Sequence, residues 1–211
     1  MSDTARKDDS NEAAIPEWLK IETPLDGYTY KEYKNWDDNI KVELDDGMVY
    51  MMGSGDPWHQ WLIGELGGQL RNQLLGKKCR YFPEQDVRLF YEVDESDRTV
   101  FRPDIIVVCD EAKTKGHKTC QGAPDFIIEI ISERSEDRDL YRKKKVYEKA
   151  GVKEYWVVGA DKLHVFLPEG GKYRETILEI NANLVQPVSC LEGCSIDFKP
   201  IADNNTGLGV S

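Results

Sequence analysis

The segment from 125 to 132, DFIIEIIS, constrains the fold more than any other part of the chain. Its apolar side chains alternate between the two faces of an extended strand: Phe126, Ile128 and Ile130 against Ile127 and Ile131. A strand that is apolar on both faces is typical of the centre of a sheet covered on both sides. Glu129 lies in the middle of this strand. A buried carboxylate loses hydration worth on the order of several kcal/mol, so Glu129 needs a partner, a proton or a metal.

The segments around this strand predict an α/β fold in which helices flank a mixed sheet. Residues 40 to 52 alternate like a hairpin that turns at Asp46-Gly47. A helix follows, with Asp56 as its cap and Pro57 in its first position. The other predicted elements are strands at 85–91, 99–109 and 125–132, a helix that ends at Gly151, and strands at 154–159 and 162–168. A helix between strands indicates a sheet covered by helices.

Length and composition predict one domain with two tails. The chain has 211 residues, of which 40% are hydrophobic, enough to build one core. Residues 1–15 and 204–211 are polar and aperiodic, so we expect disordered tails on a folded domain that spans 16–203.

The net charge limits how the chain could contact nucleic acid. With 28 Lys and Arg against 39 Asp and Glu, the net charge is -11, which repels polyanions. Any contact with DNA must therefore be local or assisted by a metal. Residues 134 to 149 are a local exception, with seven Lys or Arg and four Asp or Glu.

The cysteines and the polar N-terminus predict a cytoplasmic protein. The five cysteines are an odd number in a chain with no apolar leader segment: Cys79, Cys109, Cys120, Cys190 and Cys194. Their spacing favours structural or incidental roles over metal binding. No apolar run approaches the roughly 20 residues needed to span a bilayer, so we expect no membrane association.

Three residues on separate segments could carry chemistry together. Asp104 follows Pro103, which favours a strand start or a bulge that redirects a side chain into a cleft. At about 100° per residue, Lys143 falls near the centre of the apolar stripe of the second helix, with Asp139 one turn earlier. Together with Glu129, these inward carboxylates and the inward lysine could bind a divalent cation and orient a water.

These residues resemble those of a known family. The order of elements, with Pro103-Asp104 and Glu129, is similar to the restriction-endonuclease-like fold of the PD-(D/E)xK nuclease superfamily. More narrowly, the chain resembles the bacterial Uma family of endonucleases over about residues 25 to 185. The motifs that carry this resemblance are ELDDG, His59-Gln60, FRPDIIVV, GAPDFIIEIIS, then Asp139, Lys143, Tyr147, AGV and EYWVV. The resemblance implies an αβββαβ core with a mixed sheet flanked by helices and an N-terminal hairpin.

The resemblance also implies a metal-dependent endonuclease that hydrolyses DNA phosphodiester bonds with Mg²⁺, for which Mn²⁺ could substitute. Asp104 and Glu129, with the carbonyl of Ile130, would hold the cation, and Lys143 would position the water. The superfamily pattern has its lysine two residues after the glutamate, where this chain has Ile131. The Uma pattern instead places the lysine on the next helix, at Lys143.

The resemblance extends to three supporting residues, His59, Glu43 and Asp139, and two of them, His59 and Glu43, have a simpler interpretation. His59 would more often be a core or capping residue, and Glu43 the polar member of an alternating strand. Glu129, taken alone, could instead form a structural salt bridge with a buried base such as Arg102.

Other functions stay open at this stage. A catalytically inactive module with the nuclease fold, binding protein or nucleic acid, is the alternative favoured by the acidic composition and by Ile131. A Schiff-base enzyme that uses Lys143 is disfavoured, because nearby carboxylates would raise the pKa of the amine. A homodimer is compatible with the resemblance, and exposed edges such as the C-terminal hairpin could support one.

Overall fold

The computed structural model of the chain describes residues 26–37, 39–53, 55–131 and 136–205. The predicted N-terminal tail, 1–15, and the first ten residues of the predicted domain lie outside this part. Of the predicted C-terminal tail, residues 204 and 205 belong to the last helix, and 206–211 lie outside the described residues.

The described elements are four helices, two shorter helical turns and thirteen strands, most of them short. The helices are α1 (Tyr30–Tyr33), α2 (Pro57–Leu74), α3 (Lys144–Ala150) and α4 (Lys199–Asn205), with a 3₁₀ turn at Glu111–Lys113 and a π-helical turn at Arg138–Lys143. The strands are β1 (Val42–Asp45), β2 (Met48–Met51), β3 (Arg80–Pro83), β4 (Val87–Arg88), β5 (Val100–Phe101), β6 (Ile105–Val108), β7 (Cys120–Gln121), β8 (Phe126–Ile130), β9 (Glu154–Val158), β10 (Lys162–Glu169), β11 (Lys172–Glu179), β12 (Val185–Pro187) and β13 (Ser195–Asp197).

The main sheet has six strands in the order β11-β10-β9-β8-β6-β3. The strand β8 lies inside this sheet, antiparallel to β6 and parallel to β9. A parallel pair requires a crossover connection, and the π-helical turn with α3 supplies it. The succession α2, β3, β6, β8, α3 and β9 forms the αβββαβ core of a restriction-endonuclease-like fold.

The two faces of β8 belong to two different hydrophobic cores. Phe126, Ile128 and Ile130 pack in the core that contains the apolar stripe of α2. Ile127 packs in the second core with Val146 and Tyr147 of α3, and Ile131 packs against it. This arrangement confirms that β8 is covered on both faces, as its sequence predicts. Glu129 lies on the same face of β8 as Ile127, so its side chain faces α3.

The predicted hairpin is confirmed and belongs to a second sheet. Strands β1 and β2 pair antiparallel across the turn at Asp46 and Gly47, in a sheet with the order β2-β1-β5-β4-β7. Leu44 of β1 pairs with Val100 of β5. The hairpin is therefore anchored to the segment that leads into β6.

Two predicted strands are placed differently in the structure. Residues 99–109 form not one strand but two, β5 and β6, which belong to different sheets. Pro103 lies between them, where a residue without an N–H group interrupts the ladder. The predicted strand 85–91 is reduced to β4 of the second sheet, and β3, which the sequence analysis missed, pairs with β6 at the edge of the main sheet.

Asp56 caps α2, because its side chain accepts a hydrogen bond from the His59 N–H at 2.8 Å. Pro57 occupies the start of the helix, as predicted. This capped turn fixes where the His59 side chain emerges at the N-terminus of α2.

A disulfide that the sequence analysis did not anticipate joins Cys79 and Cys109. The two cysteines lie just outside the pairing of Arg80 with Val108, so they are neighbours across β3 and β6. Cys120, Cys190 and Cys194 are free thiols. Within the described ranges, no helix is both long and apolar enough to cross a bilayer.

Candidate active site

Asp104 and Glu129 are brought together where β6 begins and β8 ends. Both side chains are buried, with residue exposures of 7% and 3%. Asp104 Oδ2 accepts a hydrogen bond of 2.7 Å from the backbone N–H of Ile130, the residue after Glu129. This bond ties the start of β6 to the end of β8 and places both predicted carboxylates at one position in the fold.

Lys143 points into the same site, as its position on the helical wheel predicts. Its Nζ lies 2.9 Å from Glu129 Oε1, 3.0 Å from Glu43 Oε1 and 3.5 Å from Asp139 Oδ1. Lys143 is buried, whereas Lys145 on the same helical segment is exposed. The ammonium group is therefore the centre of a cluster of three carboxylates.

The π-helical turn Arg138–Lys143 directs Asp139 and Lys143 to the interior together. Single π-helical turns occur frequently at functional sites, because the wider turn changes which side chains face inward. The buried Tyr155 hydroxyl donates a hydrogen bond of 3.1 Å to the carbonyl of Asp139, which anchors this turn to β9.

Glu43 enters the site from the hairpin and is fully buried. Its Oε1 accepts a hydrogen bond of 2.8 Å from the Arg102 N–H in addition to the contact with Lys143. Its Oε2 lies 2.7 Å from Arg138 Nη1. Glu43 thus connects the second sheet to the cluster on the main sheet, and it is more than the polar member of an alternating strand.

His59 contacts the opposite side of the site. Its Nε2 lies 3.2 Å from Asp104 Oδ2. The hydrogen bond with Asp104 raises the pKa of His59 above its ordinary value, although burial acts in the other direction. All three predicted supporting residues therefore contact one of the central residues: His59 contacts Asp104, and Glu43 and Asp139 contact Lys143.

The sequence analysis missed two contacts of the site. The Tyr147 hydroxyl donates a hydrogen bond of 2.6 Å to Glu129 Oε1, and its position one turn after Lys143 was the available signal. Arg138 contacts Glu43 and lies one helical turn before Lys143. Glu129 does form a salt bridge with a buried base, but that base is Lys143 and not Arg102, whose side chain pairs with Asp86.

The electrostatics of the cluster are dominated by its excess of acids. The pKa of Glu129 is raised to about 8. Burial is the main cause; Lys143 lowers the pKa, and the negative charges of Asp139, Asp104 and Glu43 raise it. Burial lowers the pKa of Lys143, but the attraction of Glu129, Glu43 and Asp139 outweighs burial and holds this pKa above its usual range. The amine is therefore an ammonium ion at neutral pH, which argues against Schiff-base chemistry.

The donor set fits a hard divalent cation. Among the described residues, the ion-pair partners of Asp104, Glu129, Glu43 and Asp139 are Lys143, Arg138 and His59. With all four carboxyl groups ionised and His59 neutral, the acids exceed these cations by two negative charges, which a divalent cation would balance. Hydrogen bonds from the described residues reach only Oδ2 of Asp104 and Oε1 of Glu129. Within that part of the chain, no donor is recorded for the second oxygen of either carboxylate, which is where a cation would bind.

The described residues do not by themselves form a complete cage of metal ligands. In the described part of the chain, no group of three or more His, Cys, Asp or Glu is arranged to hold a metal ion. Mg²⁺ does not require such a cage, because it commonly keeps several waters and binds through one or two carboxylates. Asp104 and Glu129 are the pair that could hold it in this way.

Comparisons with known proteins agree with the fold. The crystal structure of a putative nuclease belonging to DUF820 from Anabaena variabilis superposes with a TM-score of 0.67 at 17% sequence identity. The alignment covers 84% of this chain and 99% of that chain. A comparison with curated proteins gave no match.

A family model described as "Uma2: Putative restriction endonuclease" matches residues 30–199. This match begins at the first residue of α1 and ends at the first residue of α4, so it includes every residue of the candidate active site. The chain therefore belongs to the Uma2 family.

Proposed function

We propose that this protein is a Mg²⁺-dependent endonuclease that hydrolyses DNA phosphodiester bonds, with Mn²⁺ able to replace Mg²⁺. The observation that carries the proposal is the buried ammonium of Lys143 beside the buried carboxylate of Glu129, with the buried Asp104 held at the next residue of the same strand. Buried charges without a function are disfavoured, because replacing such groups by apolar residues often stabilises a protein.

Asp104 and Glu129 are the proposed metal ligands. The backbone N–H of Ile130 holds one oxygen of Asp104, and Lys143 and Tyr147 hold one oxygen of Glu129, so both carboxylates are oriented in advance. A bound Mg²⁺ would neutralise the phosphate and lower the pKa of a nearby water. The backbone carbonyl oxygen of Ile130 is the third proposed protein ligand of the cation.

Lys143 is the proposed catalytic lysine. Its raised pKa keeps it positively charged, so it can hydrogen-bond the attacking water and offset the negative charge that develops on the phosphate. A group already held in place by surrounding carboxylates needs little reorganisation during the reaction. Lys143 therefore orients the attacking water and offsets the negative charge on the phosphate, and it does not accept the proton of that water.

Glu43, Asp139 and His59 have supporting roles in this proposal. Glu43 and Asp139 hold the ammonium of Lys143 from two sides, at 3.0 and 3.5 Å. His59 hydrogen-bonds the Asp104 oxygen that also accepts from Ile130, so it fixes the orientation of this carboxylate.

Cleavage of plasmid DNA tests the proposal. We expect nicking in Mg²⁺ or Mn²⁺ that stops in EDTA and is abolished by Glu129→Ala and by Lys143→Ala. The matched control is Lys145→Ala, because Lys145 is an exposed lysine two residues from Lys143. Cleavage that survives both substitutions would remove the proposed site.

The alternative, a catalytically inactive nuclease-fold module that binds protein or nucleic acid, is favoured by the net charge of -11. Calorimetric titration with Mg²⁺ and Mn²⁺ separates the two. The nuclease requires heat of binding that is lost in Asp104→Asn and Glu129→Gln. A folded wild-type protein that binds neither ion supports the inactive module.

A further inference from the structure

Arg138 lies at the solvent side of the candidate active site, between two aromatic rings. Its guanidinium carbon is 4.5 Å from the ring centre of Tyr50 and 5.8 Å from that of Phe101. Phe101 is fully buried, whereas 41% of Tyr50 is exposed. Tyr50 therefore covers the guanidinium group on its outer face.

The donors of Arg138 are poorly used. Nη1 is 2.7 Å from Glu43 Oε2, yet this oxygen is buried without a well-aligned hydrogen bond. Arg138 Nε and Nη2 are also buried, and no acceptor among the described residues reaches them. A guanidinium group carries five N–H donors, and buried donors without acceptors are disfavoured. Among the described residues, one complete edge of the guanidinium group therefore lacks a hydrogen-bond acceptor.

Arg142, one helical turn later, provides a direct comparison. Its Nε and Nη2 both donate to the carboxylate of Asp45 on β1, in the paired geometry that arginine prefers. Both arginines reach from the same turn of helix to carboxylates of the same strand. Arg142 is satisfied by its carboxylate, whereas Arg138 contacts Glu43 with one nitrogen and keeps its Nε–Nη2 edge unused.

The position of Arg138 indicates which ligand its unused edge would take. Through Glu43 it is one contact away from Lys143, and through Lys143 two contacts away from Glu129. A ligand at this edge would lie next to the groups proposed to act on a phosphodiester. The parallel N–H groups of a guanidinium edge match two oxygens of a phosphate.

We propose that Arg138 binds a phosphate group of the nucleic acid substrate through its Nε–Nη2 edge, at or next to the bond that is cleaved. The inference rests on the proposed nuclease function and adds a substrate-binding residue to it. Tyr50 must rotate to admit the phosphate. It can do so because β2 is an edge strand of its sheet as far as the described residues show, and the Tyr50 ring is exposed to solvent on one side.

The first experiment measures binding separately from cleavage. Fluorescence anisotropy of a labelled DNA duplex is recorded in Ca²⁺, with a gel to verify that the duplex stays intact. Arg138→Lys keeps the charge but loses the paired donors, so we expect affinity to fall roughly tenfold or more. Arg142→Lys, the matched control, should stay within about twofold of the wild type. Equal affinities for Arg138→Lys and the wild type would overturn the inference.

A second measurement observes the wild-type protein and uses the variants only to assign one signal. The Nε–H signal of Arg138, identified by its absence in Arg138→Lys or Arg138→Gln, should shift in ¹H–¹⁵N spectra when the duplex is added. A signal that does not move on saturation overturns the proposal. A wild-type protein that binds the duplex and shows this shift but does not cleave DNA would overturn the nuclease function and keep the phosphate contact.

Discussion

Lys143 Nζ lies 2.9 Å from Oε1 of Glu129, and both side chains are buried. The pair joins β8 to the π-helical turn before α3. Replacing Lys143 by Met should lower the free energy of unfolding by roughly 3 to 5 kcal/mol, because it leaves buried carboxylates without their cation. The exposed Lys145→Met is the control, with an expected change within about 0.5 kcal/mol.

Adding Glu129→Gln to Lys143→Met should recover part of this loss at a pH above the raised pKa of Glu129, about 8, because one of the uncompensated charges is then removed. Urea unfolding of the two single variants and the double variant at about pH 9 in EDTA gives the coupling energy between the residues. Strictly additive losses would mean that the two side chains do not interact as their distance indicates.

Glu129→Gln should change how stability depends on pH in the absence of metal. The pKa of Glu129 is raised from 4.5 to about 8, so folding favours its protonated form. The contribution of this group to the free energy of unfolding is fully present below about pH 4.5 and is lost as the pH rises towards about 8. Gln resembles the protonated form at every pH.

The melting temperature of Glu129→Gln, relative to that of the wild type, should therefore rise between about pH 4.5 and pH 8 and stay level above that. Differential scanning calorimetry in EDTA measures this difference at several pH values. A difference that does not vary with pH would show that Glu129 titrates normally in the folded protein.

Tyr147→Phe should weaken Mg²⁺ binding at neutral pH. The Tyr147 hydroxyl donates to Glu129 Oε1 at 2.6 Å, and a donor to a carboxylate favours its charged, metal-binding form. Tyr155→Phe is the matched control, because its hydroxyl donates to the backbone carbonyl of Asp139 and not to Glu129. Each variant should lose about 1 kcal/mol of stability.

Only Tyr147→Phe should lower the affinity for Mg²⁺, by roughly threefold to tenfold, in a calorimetric titration at about pH 7. Equal Mg²⁺ affinities in the two variants would assign Tyr147 a purely structural role.

The parts of the site that local periodicity determines could be predicted from the sequence. The alternation of β8 sends Glu129 to the face that α3 covers, and the helical period selects Lys143 among three consecutive lysines. Both patterns repeat within a few residues, so one segment is enough to detect them.

The parts that depend on pairing between distant segments could not be predicted in this way. Strand β3 is short and half-exposed, and it is defined by its pairing with β6 and by the helix α2 packed on it. The contact of Arg138 with Glu43 joins residues far apart in the chain. Strand formation of this kind depends on the partner and not on the local sequence alone.

The two adjacent glycines of α2 provide the last prediction, away from the site. A Cβ atom on Gly67 would come within 2.5 Å of the Tyr81 hydroxyl on β3, whereas a Cβ atom on Gly68 would meet nothing within 4 Å. Gly68→Ala should stabilise the protein by about 1 kcal/mol, because alanine favours the helix. Gly67→Ala gains the same preference but must displace the Tyr81 ring, so we expect a net destabilisation of about 1 to 2 kcal/mol. Urea unfolding of the two variants measures the difference, and a Gly67→Ala protein as stable as Gly68→Ala would show that α2 does not need this close approach to β3.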